Sequence, residues 1–333
     1  MLTPSRFMFL VVLLPALMAS PQAHSQEAVA TENARPWGGS VLLETSLGRG
    51  AFTTDDVMQN TLWNLFLSAR PRYTLNEERG WSVSARFDMD MNLMEGWNSG
   101  STRPQQVRPV DVRLATDYER LGAIDALGLT VSGGASVSLP TSYLSQHSGK
   151  ILGLRIDTGL SWEPVSWMSV GYTAAFGKNL NRFTNATLDT SEFSRAPVSR
   201  AGGAEEVAEG LVAAAGGLTS FFVDHALGVS FSFLDDFGAS ATWELVHSFT
   251  YQGFPLDELS SPHASAGRGQ ADTSYGTLEV TWQPLENLGL AVGSLVAQEP
   301  RPLDNTGFRF PLWDMSNGAD NRQVFYLDVI GSF

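Results

Sequence analysis

Residues 81–92 read WSVSARFDMDMN, an alternation that runs through the whole stretch without an error. Trp81, Val83, Ala85, Phe87, Met89 and Met91 are apolar, whereas Ser82, Ser84, Arg86, Asp88, Asp90 and Asn92 are polar or charged. Successive side chains of a strand point to opposite faces, so this is a strand with one oily and one charged face. A helix would mix the two sets around its circumference. About 9–11 tilted residues cross a bilayer as a strand, and this one is long enough. Alone, it suits a surface strand of a soluble sandwich better.

The rest of the chain repeats the pattern. Strand-like alternation covers 37–50, 61–73, 110–118, 127–139, 152–162, 167–177, 223–233, 239–251, 276–282, 288–296 and 323–333. Pro71 lies on the apolar face of the second of these and, lacking an N–H, marks the expected strand end. Tight turns are expected at 75–80, 119–126, 163–166, 234–238 and 284–287. Long polar connections cover 95–108, 140–150, 178–220, 252–272 and 298–321. Within the longest, Ala204–Ala215 (AEEVAEGLVAAA) has helical composition. Short and long connections therefore alternate. The expected fold is all-β: a transmembrane antiparallel up-and-down β-barrel of about twelve strands, with short periplasmic turns and long extracellular loops. A soluble sandwich has no reason to gather every long loop at one end, and closure removes the exposed edges.

Composition and termini agree. Arg6 precedes the apolar run Phe7–Met18, and Ala23-His24-Ser25 offers a cleavage site. This is the layout of a secretory signal peptide. The expected organisation is a signal peptide at 1–25, a polar tail at 26–36 and a barrel at 37–333. The chain has no cysteine, which removes disulfides and thiolate chemistry. Its formal net charge is −14, with Lys150 and Lys178 the only lysines. A net acidic chain has no electrostatic case for nucleic acid.

The last residues, FYLDVIGSF, place Phe325, Leu327, Val329, Gly331 and the terminal Phe333 on one face. The segment resembles the C-terminal assembly signal of Gram-negative outer-membrane β-barrel proteins, with Gly331 in place of a larger apolar residue. That resemblance implies the bacterial outer membrane as location, its lipid as surroundings, and recognition of the Phe333 strand by the barrel-assembly machinery. Trp81, Trp162, Trp167 and Trp282, with Tyr118 and Phe233, flank short turns. They are expected to form the aromatic girdle at the periplasmic interface.

If the apolar faces meet lipid, the opposite faces line the interior. They carry Arg70, Arg72, Arg86, Asp88, Asp90, Asp111, Arg113, Asp117, Arg155, Asp157, Glu244, Glu279 and Asp328, the expected pore-lining set. Enclosed charges need water or partners. Either they line a water-filled channel for small solutes and set its ion preference, or they pair into a closed plug. Inward Gly, Ser and Thr along 127–139, 167–177 and 223–233 leave room and favour a narrow channel. The second class is a rim hydrolase for lipid or peptide. It needs a histidine beside a nucleophile or water, and His147, His225, His247 and His263 are the candidates. His147-Ser148-Gly149 is similar to a fragment of the outer-membrane phospholipase motif, without its following asparagine. His225 and His247 fall on the lipid side by parity. A third reading is a closed structural or adhesive barrel acting through its loops. No cofactor or metal is expected, because Asp55-Asp56, Glu205-Glu206 and Asp257-Glu258 lack calcium-loop spacing.

Overall fold

A computed structural model describes residues 36–52, 63–93, 107–184, 218–234, 236–252, 268–301, 307–312 and 321–333. The strands are β1 (Trp37–Gly48), β2 (Trp63–Asn76), β3 (Trp81–Asn92), β4 (Val107–Pro109) and β5 (Val112–Ile124). They continue with β6 (Leu129–Leu139), β7 (Lys150–Val165), β8 (Met168–Asn181) and β9 (Thr219–Phe233). The last are β10 (Phe237–Gln252), β11 (Arg268–Leu285), β12 (Leu288–Gln298) and β13 (Asn321–Ser332). Apart from β4, neighbours along the chain pair antiparallel, and β1 pairs with both β2 and β13. The sheet thus closes on itself into a barrel of twelve antiparallel strands plus one short extra strand. That extra strand is β4, which pairs with β3 beyond the end of β5.

The closing seam runs from Ser40 opposite Ser332 to Gly48 opposite Val324. It extends to the last residue. The Phe333 N–H donates to the Gly39 carbonyl at 3.1 Å, and the Gly39 N–H donates to the Phe333 carbonyl at 3.0 Å. Gly39 is needed here, since a Cβ would run into the Phe333 ring and the Arg70 carbonyl.

Several boundaries differ from the sequence expectation. Pro71 does not end its strand; β2 continues to Asn76. Pro71 keeps its partner Gly39 in β1, while the ladder to β3 passes from Ala69–Phe87 directly to Arg72–Ser84. The sheet tolerates the missing N–H where one ladder is interrupted. The strand expected from residue 110 breaks at Val110–Asp111, with β4 before the break. Its turn comes later than 119–126, because β5 runs on to Ile124 through an irregularity between Tyr118 and Gly122. The 163–166 turn shrinks to Ser166–Trp167. The 140–150 connection holds a helix, α1 (Tyr143–Ser148), capped by the Ser142 hydroxyl and ended by left-handed Gly149. Too short for the 3.6-residue apolar period to show, it gave no sequence signal. Residues 1–35, the segment 204–215, His263 and the 55–56, 205–206 and 257–258 acidic pairs lie outside the described residues.

The two faces separate as the alternation requires. Outward Ile156 and Val292 are 60% and 59% exposed, as a lipid-facing wall demands. At the short-turn end Trp81 stacks on Tyr118 with centroids 5.4 Å apart. Phe237 stacks on both Phe233 (6.3 Å) and Trp282 (5.9 Å). This ring of aromatics is an interfacial girdle.

Candidate functional site: the inner wall

Register sets the expected lining residues of the strands on the face opposite the exposed apolar side chains, whereas Asp111 lies in the break between β4 and β5, outside the ladders. Arg86 lies directly opposite Arg113, and Ser82 opposite Asp117. Ser136 faces Arg155, and Gly134 faces Asp157. Glu44 on β1 faces Asp328 on β13, and Ser240 faces Glu279. Glu244 faces Ala226 on β9.

The charges fall into two zones. Toward the long-loop end they are buried and paired. Arg86 Nε donates to Asp88 at 2.6 Å, with the two residues 4% and 6% exposed. Arg155 Nη2 reaches Asp224 at 2.9 Å, and Arg108 Nη2 reaches Asp90 at 2.6 Å. Glu279, opposite Ser240 and so nearer the short turn than Thr242, is buried too, and accepts the Tyr326 hydroxyl proton at 3.1 Å. Toward the short-turn end the charges meet water: Arg70, Arg72, Arg113, Asp117 and Asp157 are only half-buried. Asp117 and Asp157 flank Gly134, where a Cβ would lie 3.0 Å from a carboxylate oxygen of each.

Asp111 is a hub. Its carboxylate accepts from Lys150 Nζ (2.8 Å), the Ser145 hydroxyl (2.6 Å) and the Ser142 N–H (2.8 Å). Lys150 Nζ also donates to the Ser138 hydroxyl at 3.1 Å. These bonds fasten the start of α1 against the inner wall at the long-loop mouth. Asp111 is therefore a clamp rather than a water-exposed lining group.

Apolar side chains also enter the lumen. Phe222, Val246, Tyr275, Leu295, Ala297, Val324 and Tyr326 form one buried cluster from the inner faces of β9–β13. Phe222 packs over Gly177, whose missing side chain makes the space, and Arg155 lies over the Phe222 ring at 5.9 Å. Parity alone puts Phe222, Tyr275 and Tyr326 inward. Their apolar character hid them from a search for charges. Glu44 and Asp224 were legible in the same alternation. Lys150 fell in an expected loop and had no such signal.

The histidines lie elsewhere. His225 and His247 face outward on β9 and β10, with ring centroids 6.1 Å apart. Tyr172 Oη lies 2.8 Å from His225 Nδ1, and His247 Nδ1 lies 2.8 Å from Asp272 Oδ1. His147 belongs to α1. Among the described residues no group of three His, Cys, Asp or Glu is placed to hold a metal.

A closed antiparallel barrel with an apolar outer wall, an aromatic girdle and a charged inner wall is the architecture of outer-membrane β-barrels, and this chain has that fold. No protein-family model matches it, and no curated protein does. Solved structures share its architecture. An outer-membrane channel from Pseudomonas putida F1 superposes with a TM-score of 0.50 at 8% identity, over 90% of this chain and 96% of that one. The NanC porin gives 0.44 at 11% identity, over 87% and 98% of the two chains. The KdgM porin, solved in complex with disordered oligogalacturonate, gives 0.41 at 8% identity, over 88% and 99%. At such identities the likeness is one of fold.

Proposed function

We propose that the protein is a gated passive channel for small polar solutes. The division of the inner wall carries this reading. In the short-turn half, inward Ser132, Gly134, Gly159, Thr173 and Thr242 are all half-exposed and, with the charges beside them, form a wetted polar surface. In the long-loop half, inward residues from Phe66 round to Tyr326 are buried. A barrel built only as a closed support has no use for a wetted vestibule lined with charge, because enclosed charges are costly. The buried half, with the Phe222–Tyr275–Tyr326 cluster and the Arg155–Asp224 pair, is the gate in this reading.

Planar-bilayer recording tests it. Folded protein is expected to conduct in brief openings, and Phe222→Ala is expected to raise the open fraction severalfold by removing the ring that fills the gate. Complete absence of conductance in both proteins would leave the closed-barrel reading instead.

One observation favours a hydrolase as the second reading: His247 and Asp272 pair on the outer wall, where lipid acyl chains would reach them. Ser274, two residues from Asp272 on the same face of β11, accepts from Trp243 Nε1 at 3.0 Å. Lipid turnover that disappears in His247→Ala would establish this activity. The expected result is no turnover in either protein.

A further inference from the structure

We propose that Arg70, Arg86 and Arg113 form a binding site for one carboxylate group of a solute inside the lumen. The access route rests on the channel reading above; the site itself rests on other observations. Arg86 and Arg113 are direct cross-strand partners. Arg70 stands opposite Arg86 in the same register, between the pairs Ala69–Phe87 and Arg72–Ser84. Three guanidiniums thus lie side by side on adjacent strands, an arrangement that like-charge repulsion disfavours. Asp88 engages Arg86 through Nε. Both remaining nitrogens of Arg86, Nη1 and Nη2, are buried and have no hydrogen-bond partner among the described residues. Leaving charged donors buried and unmet costs more than leaving neutral ones so.

An anion resolves both problems. A carboxylate offers two oxygens in a plane, which matches the paired N–H groups of a guanidinium edge. Arg70 and Arg113 flank the site and are only half-buried, and in this proposal the solute approaches past them, displacing what covers the Arg86 nitrogens. A single negative charge suits it. Arg70 is within electrostatic reach of Asp88 and Asp117 as well as of the two other arginines. A doubly charged anion would therefore meet carboxylates on both sides of the row.

Glucuronate, glucose and inorganic phosphate are the probes. Glucuronate and glucose share a ring and differ by the carboxylate. With the barrel in a planar bilayer, glucuronate is expected to reduce the ion current in a saturable way, glucose not to, and phosphate to act more weakly than glucuronate. Arg86→Gln is expected to weaken glucuronate about tenfold or more. Arg86→Lys, which keeps the charge and loses the fork, is expected to recover little of that loss. Arg113→Gln provides a second variant should Arg86→Gln fail to fold, as judged by heat-shifted electrophoretic mobility. Equilibrium dialysis of labelled glucuronate against the detergent-solubilised barrel reads the site without conduction. Arginine-dependent binding in dialysis supports the site even if the barrel never conducts, an outcome that would overturn the channel reading alone. Conduction with equal effects of glucuronate and glucose, unchanged in Arg86→Gln and Arg113→Gln, would overturn the site and leave the channel. Phosphate binding as tightly as glucuronate would overturn the single-charge assignment.

Discussion

Replacing Asp111 by alanine is expected to destabilise the barrel by about 3–5 kcal/mol, the range for breaking a buried ion pair by removing one partner. Asp111 accepts from Lys150, Ser145 and Ser142 inside a buried cluster. Its loss removes the carboxylate that the buried Lys150 ammonium donates to, while the bond to the Ser138 hydroxyl remains. Much of the penalty is therefore the cost of keeping a buried ammonium without this carboxylate, beyond the lost attraction. The double variant Asp111→Ala with Lys150→Met removes both charges and is expected to recover more than half of the stability. Denaturant titration of the barrel in detergent measures both. The change also releases α1, whose capping residue Ser142 is held by Asp111. Proteolysis within 140–149 is expected to accelerate in the single variant. A loss below about 1 kcal/mol, the scale of an exposed pair, would show that Asp111 and Lys150 are solvated rather than clamped.

The second large effect concerns ion preference. Replacing Asp88 and Asp90 together by asparagine is expected to shift permeability toward anions by about fivefold, on the order of 1 kcal/mol at the lumen wall after screening. The sign follows from the partners. Asp88 offsets Arg86, and Asp90 offsets Arg108, so neutralising the acids exposes two guanidiniums to the lumen. Reversal potentials in a salt gradient provide the measurement, and the effect should shrink as ionic strength rises. The same double variant is expected to bind glucuronate more tightly, because one of the flanking carboxylates is gone. A shift toward cations would mean that these aspartates do not face the conducting path.

Much of this was readable in the chain. The alternation of 81–92 put Arg86, Asp88 and Asp90 on the face opposite Val83, Phe87 and Met89, and the structure keeps them there. Short turns and long connections appear at opposite ends, and the turn-flanking tryptophans gather at the short-turn end. What was misjudged has physical reasons. Pro71 looked like a strand end because its missing N–H is a local fact, whereas the interruption that accommodates it belongs to the neighbouring strand. Helix α1 is stabilised by its cap and by Asp111, which lies 31 residues from Ser142. Asp111 itself sits in a break between β4 and β5 that continuous alternation did not reveal.

By itself, the sequence determined which side chains share a face, because the two-residue period of a strand is a property of each segment alone. It therefore settled a barrel with an oily exterior and a charged interior. Only the tertiary structure decided who meets whom inside. Arg155 pairs with Asp224, 69 residues away, and Glu44 faces Asp328 across the seam that joins the two ends of the sheet. Such partners depend on register and closure, which are set by the whole ring of strands together. The same closure decides that Asp88 has its arginine while two nitrogens of that arginine remain unmet.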